Sequence, residues 1–151
     1  GGSIAIGALE AWPAVGPEPV ALVLDSPLID PEPVFALGAR REGLPLPDLL
    51  AAATTRVAGL RTGVDFGALD RRRVAPQLGV PVLLFAGEGD TTVPIDQIDA
   101  FAAALPELIA YVRLDGVEHV EPWNADPERY EGTLSEFLRI VFDATAVAAA
   151  R

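Results

Sequence analysis

The chain has 151 residues, half of them hydrophobic, enough for one core and too few for two ordinary domains. Its formal charge of −11 repels phosphates, which argues against nucleic-acid and anionic-membrane partners. With no cysteine and one histidine, it has no disulfide framework and no thiolate metal site, and a metal cofactor is not expected.

No apolar run approaches the ~20 residues that span a bilayer, and no basic segment precedes an apolar one at the start. A cytoplasmic location is the expectation. Methionine is absent, so the chain reads as cut, processed or rebuilt rather than as a whole translated frame.

The predicted elements begin with a helix from Ile4 to about Trp12, whose small residues suit close packing on a sheet, ending at Pro13. Before it stands Gly1-Gly2-Ser3, either the start of a strand-to-helix turn or a flexible linker. Val20 to Leu24 reads as a buried strand ending in Asp25-Ser26-Pro27, where Asp25 either fixes a turn or serves as a rival acid. From Leu28 to Gly79 helices alternate with prolines and glycines. Val34 to Arg41 forms one, Asp48 caps a second that runs to about Leu60, and Phe66 to Arg73 suggests a third. Arg71-Arg72-Arg73 reads as a solvated helix end, with anion binding as the alternative.

Val82 to Ala86 is a continuous apolar run between Pro81 and Gly87, the pattern of a strand buried on both faces. It stops at Gly87-Glu-Gly-Asp90 and delivers one carboxylate. A helix from about Ile95 to Leu105 follows, then a strand from Leu108 to Leu114, then Asp115-Gly116 and His119. Strand, acid, helix, strand and histidine make a βαβ unit, whose parallel strands place both polar groups at one sheet edge. Asp90 and His119 are therefore expected to meet. Asp126-Pro127 starts a last helix with an apolar face at Tyr130, Leu134, Phe137, Leu138, Val141 and Phe142, and Ala144 to Arg151 is expected to fray.

Gly87-Glu-Gly-Asp-Thr-Thr-Val-Pro94, followed by Gly116-Val-Glu-His119, resembles the acid and histidine loops of the α/β-hydrolase superfamily. The likeness is to its serine esterase, lipase and monoacylglycerol-lipase-like members, and to the C-terminal half of the domain. In that family the order is nucleophile, acid, histidine, with the serine on a G-x-S-x-G elbow. Of Ser3, Ser26 and Ser135, only Ser3 sits among glycines, and Ala5 stands at the last small position of that elbow.

The resemblance implies an α/β fold, a parallel sheet with helices on its faces that lacks the N-terminal strands, and a helical cap-like segment over residues 28–79. It implies one partial domain over residues 1–151. It also implies a serine hydrolase of carboxylic esters with apolar acyl groups, using a Ser3-Asp90-His119 triad and no cofactor. Ile4 is expected to supply one oxyanion N–H; the family takes a second from a loop after an earlier strand that this chain lacks, a loss that typically costs ~100- to 1,000-fold. Trp12, Phe35 and Trp123 are candidates for an acyl pocket, although aromatics at such spacing more often form plain core.

The other class of function is a catalytically inactive half-domain, pseudoenzyme or designed fragment acting as an assembly or binding module. A sheet that starts at Val20 leaves an open edge, which a homodimer, the cap or the other half of the domain is expected to cover.

Overall fold

Six consecutive apolar or small residues form the central strand, and all six are buried. The structure, a computed structural model, describes residues 1–12, 19–105 and 109–149. In chain order the elements are α1 (Gly2–Ala11), β1 (Leu22–Asp25), α2 (Pro31–Arg41), α3 (Pro47–Thr62), three 3₁₀ turns, β2 (Val82–Gly87), α4 (Ile95–Ala103), β3 (Ile109–Leu114), α5 (Pro122–Ala125) and α6 (Pro127–Ala149). The sheet order is β1-β2-β3 and both pairings are parallel.

Because side chains alternate across a strand, β2 serves two cores. Val82, Leu84 and Ala86 pack with Ile6, Leu24, Ile98 and Phe101. Leu83 and Phe85 pack on the other face with Leu114, Phe137 and Val141, whereas Phe142, expected on the same helix face, is exposed beside Val141. Tyr130 of α6 stacks on Phe85 with ring centroids 4.1 Å apart. The double burial explains why β2 reads as an unbroken apolar run.

Several boundaries differ from the sequence reading. β1 starts at Leu22 and not Val20, since Leu22 N–H is the first to bond, to Pro81 O at 3.0 Å, and proline offers no N–H in return. The strand extends to include Asp25. The expected ends at Pro13 and Leu108 lie outside the described residues.

Asp48 does not cap α3. Leu46 occupies that position at φ 52° and Pro47 opens the helix, while Asp48 sits in the first turn and pairs with Arg40. No single helix spans Phe66 to Arg73. Asp70, at φ −68° and ψ 100°, divides it into the 3₁₀ turns Phe66–Leu69 and Arg71–Arg73, because its carboxylate takes the Arg72 N–H at 3.1 Å and so caps a new turn. A further turn, Ala75–Gln77, was not foreseen.

The arginine run is not uniformly solvated either, since Arg71 is buried. At the other end α6 continues through Ala144 to Ala149, so the expected fraying does not begin at Ala144; Ala150 and Arg151 lie outside the described residues. Asp126 Oδ1 accepts the Arg129 N–H at 3.0 Å, the capping bond that its position suggested.

Candidate active site

The loops after β2 and β3 lie against each other backbone to backbone. Glu88 N–H donates to Leu114 O at 2.9 Å and Gly89 N–H to Val117 O at 3.0 Å. Gly87 permits this approach: a Cβ there would stand 2.0 Å from Val117 O. Thr91 Oγ1 adds a bond to Glu118 Oε2 at 3.0 Å.

Within this frame Asp90 Oδ1 accepts the N–H groups of Thr92 and Val93, each at 2.8 Å. That Asx turn leads into α4 and locks the carboxylate's rotation. Oδ2 then faces His119 Nδ1 at 2.7 Å. An ionised carboxylate can only accept, so Nδ1 is the donor of this bond, and in the neutral tautomer that the bond selects Nε2 is the acceptor. The Asp90 side chain is 0% exposed and that of His119 33%. A shielded acid thus orients an imidazole that still reaches solvent.

The end of β1 adds a second contact to the histidine loop. Ser26, buried and at φ 43°, continues the ladder through its N–H to Phe85 O at 3.0 Å. Its hydroxyl donates to Asp25 Oδ1 at 3.2 Å and accepts the Val120 N–H at 3.3 Å. Burial raises the Asp25 carboxyl above its ordinary value; the Ser26 hydrogen bond and the nearby imidazole of His119 pull it down, and the charge of Asp90 pushes it up.

Ser3 occupies the second residue of α1. The start of that helix docks on the segment after β1, where a Cβ on Gly2 would stand 2.7 Å from Pro27 Cβ. Ser3 Oγ accepts from Arg71 Nε at 3.2 Å, while Arg71 Nη1 donates to Glu10 Oε2 at 3.0 Å. Among the described residues no hydrogen bond joins Ser3 to His119. The Ile4 N–H donates to Gly1 O at 3.0 Å, so its role as an oxyanion donor requires that bond to open. The structure brings Asp90 and His119 together and leaves Ser3 in the grip of Arg71.

The three aromatic candidates come from separate elements. Trp12 follows α1, Phe35 is exposed on α2, and Trp123 is exposed on α5, with Nε1 donating to Glu131 Oε1 at 3.0 Å. A cavity of about 290 Å³ between α2, α3 and the start of α4 is lined by Glu32, Ala36, Arg40, Asp48, Pro94 and Asp96 among others, and by none of the three.

Two contacting residues went unassigned in the sequence. Ser26 compares with Ser3 only as a nucleophile in the sequence, and Asp-Ser-Pro signals a local turn without the Val120 N–H that its hydroxyl accepts. Arg71 was one of three adjacent arginines with nothing local to single it out; it lies over Gly7, whose missing Cβ leaves room for the guanidinium.

No family model and no curated protein matches this sequence. Solved structures do. The chain is similar to the esterase Pf2001 of Pyrococcus furiosus, with 22% identity and a TM-score of 0.64 over 92% of this chain and 49% of that one. It is similar to MGS-MChE2, an α/β-hydrolase enzyme from the metagenome of lagoon sediments at Mar Chica, with 19% identity, a TM-score of 0.56 and coverage of 92% and 57%. Est2, an esterase of Thermogutta terrifontis, matches at 21% identity and a TM-score of 0.56, over 84% of this chain and 43% of that one.

At these identities the likeness is one of fold, and the chain spans about half the length of the first of these structures. The three-stranded parallel sheet with its helices is a partial α/β-hydrolase fold. No helix among the described residues is long and apolar enough to cross a membrane.

Proposed function

We propose that this chain carries the acid and base of a serine hydrolase that cleaves carboxylic esters. The observation that supports it most is the Asp90 Oδ2 to His119 Nδ1 contact of 2.7 Å, made by a carboxylate whose other oxygen is already committed to two backbone N–H groups. In this reading His119 Nε2 takes the proton of a serine hydroxyl as Oγ attacks the ester carbonyl. It then returns that proton to the leaving alcohol, while Asp90 stabilises the imidazolium.

Ser3 is the proposed nucleophile, and its Oγ must exchange Arg71 for His119 before attack. The Arg71 bond favours a second reading, in which Ser3 anchors α1 and a different serine is placed over His119. An inactive module built on the same fold is the third. Residues 28–79, with α2 and α3 packed on each other, form the proposed cap over a lipase-like, apolar acyl site. Supporting this placement, Arg41 Nη1 donates to Thr91 O in the acid loop at 2.7 Å, and Leu49 and Leu60 of α3 are exposed together with Leu46 before it.

Labelling with a fluorophosphonate probe separates these readings, because it traps an activated serine with little demand on substrate shape. The expected result is labelling that Ser3→Ala abolishes. Labelling that survives Ser3→Ala moves the nucleophile to another serine. No labelling of the folded chain leaves the inactive module as the better account.

We also propose that the outer edge of β1, which pairs only with β2 among the described residues, is covered by a strand from a second copy or from another segment, since a bare row of backbone donors and acceptors invites pairing. Sedimentation of this chain alone is expected to show self-association. A monodisperse monomer with amide exchange in Leu22–Asp25 as fast as in open loops contradicts it.

A further inference from the structure

Three described residues other than glycine have a positive φ, and two of them lie in the loops beyond the ends of β1 and β3. These two are Ser26 at φ 43° and Val120 at φ 57°. Each is disfavoured on its own, and valine especially so, because its branched side chain crowds the carbonyl there. They are joined to each other, the Val120 N–H donating to Ser26 Oγ across 94 positions of sequence. Val120 is the residue immediately after His119. Ser26 is itself rigid, with its N–H tied to Phe85 O, its hydroxyl proton on Asp25, and 3% of its surface exposed.

Asp90 restrains the histidine from the ring side, and Ser26 restrains it from the backbone side. We propose that Ser26 is a positioning residue for His119: its hydroxyl ties the end of β1 to the backbone N–H of Val120 and so holds the imidazole against Asp90. The inference rests on the ester-hydrolase reading for its catalytic consequence but not for its geometry. With one hydroxyl serving as donor to Asp25 and acceptor from Val120, losing it frees the Val120 N–H and removes its bond to the β1 edge. The imidazole then samples orientations in which Nδ1 no longer faces Oδ2.

His119 is the only histidine, so its ring signals in a nuclear magnetic resonance spectrum are unambiguous. The experiment compares Ser26→Gly, which removes the hydroxyl but accepts the positive φ, with Ser26→Ala, which removes the hydroxyl and keeps the backbone strain. The readout is solvent exchange of the His119 Nδ1 proton.

Exchange is expected to rise about tenfold in both variants. The rate of fluorophosphonate labelling is expected to fall by a similar factor with probe affinity unchanged, well within the ~100-fold that a 1 Å misplacement of a reacting group costs. Exchange within twofold of the parent in a folded Ser26→Gly overturns the proposal. So does a rise confined to Ser26→Ala, because strain and not the hydroxyl is then the cause. If the parent itself does not label, the hydrolase reading fails while the exchange result still decides the role of Ser26.

Discussion

Replacing His119 by alanine is expected to lower ester turnover and fluorophosphonate labelling by roughly 10⁴- to 10⁶-fold, since the general base of a serine mechanism cannot be lost alone without disabling the unit. Asp90→Asn is expected to cost about 10⁴-fold, close to 5.5 kcal/mol at 1.36 kcal/mol per decade. The amide can keep its carbonyl oxygen on the Thr92 and Val93 N–H groups, which leaves the Asx turn standing. What then faces His119 Nδ1 is an N–H donor. The imidazole must present a lone pair at Nδ1 and carry its proton on Nε2, the wrong tautomer for accepting a proton from serine. Circular dichroism should remain unchanged while single-turnover labelling collapses. A loss below tenfold in either folded variant is incompatible with the proposed chemistry.

The largest expected effect on stability is at Gly87. Its backbone needs no positive φ, so the constraint is steric: the first atom of any side chain would stand 2.0 Å from Val117 O and 2.7 Å from Val117 C. Neither the strand nor the histidine loop can yield cheaply, because Gly87 is the last residue of β2 and is paired with Leu114. Overpacking of this kind costs about 3 kcal/mol or more, a fall in Tm of roughly 6–12 °C for a chain of this size.

Calorimetry of Gly87→Ala against Gly38→Ala tests this. Gly38 is a helical residue of α2 with nothing within 4 Å of the added carbon, so that substitution is expected to stabilise by about 0.5–1 kcal/mol. A Gly87→Ala protein as stable as its parent shows that the two loops are free to separate, which removes the basis for a preorganised Asp90–His119 pair.

Gly87 also marks the division between what the chain states locally and what it does not. The doubly buried β2, its βαβ connection to β3 and the arrival of Asp90 and His119 at one edge are carried by short-range patterns: an apolar run bounded by Pro81 and Gly87, a helical period, and glycines where two loops must touch. Such patterns are legible because strand burial, crossover handedness and turn chemistry depend on neighbours in sequence.

The break at Asp70 was harder to read, since a side chain competing for the Arg72 N–H leaves the composition of a helix intact. Contacts across many residues were not legible at all. Nothing near Arg71 announces that it will reach Ser3 and Glu10 through the space over Gly7, whereas Arg72 beside it turns to Asp30 and Asp70. Likewise Asp-Ser-Pro signals a turn but not the Val120 N–H that Ser26 receives from the loop after β3. By itself the sequence determined the sheet, its direction and the two loops that bear the acid and the base. The tertiary structure alone decided which hydroxyl is held by which partner, because a long or buried side chain chooses among donors and acceptors that only the packed elements bring within 3 Å or so of one another.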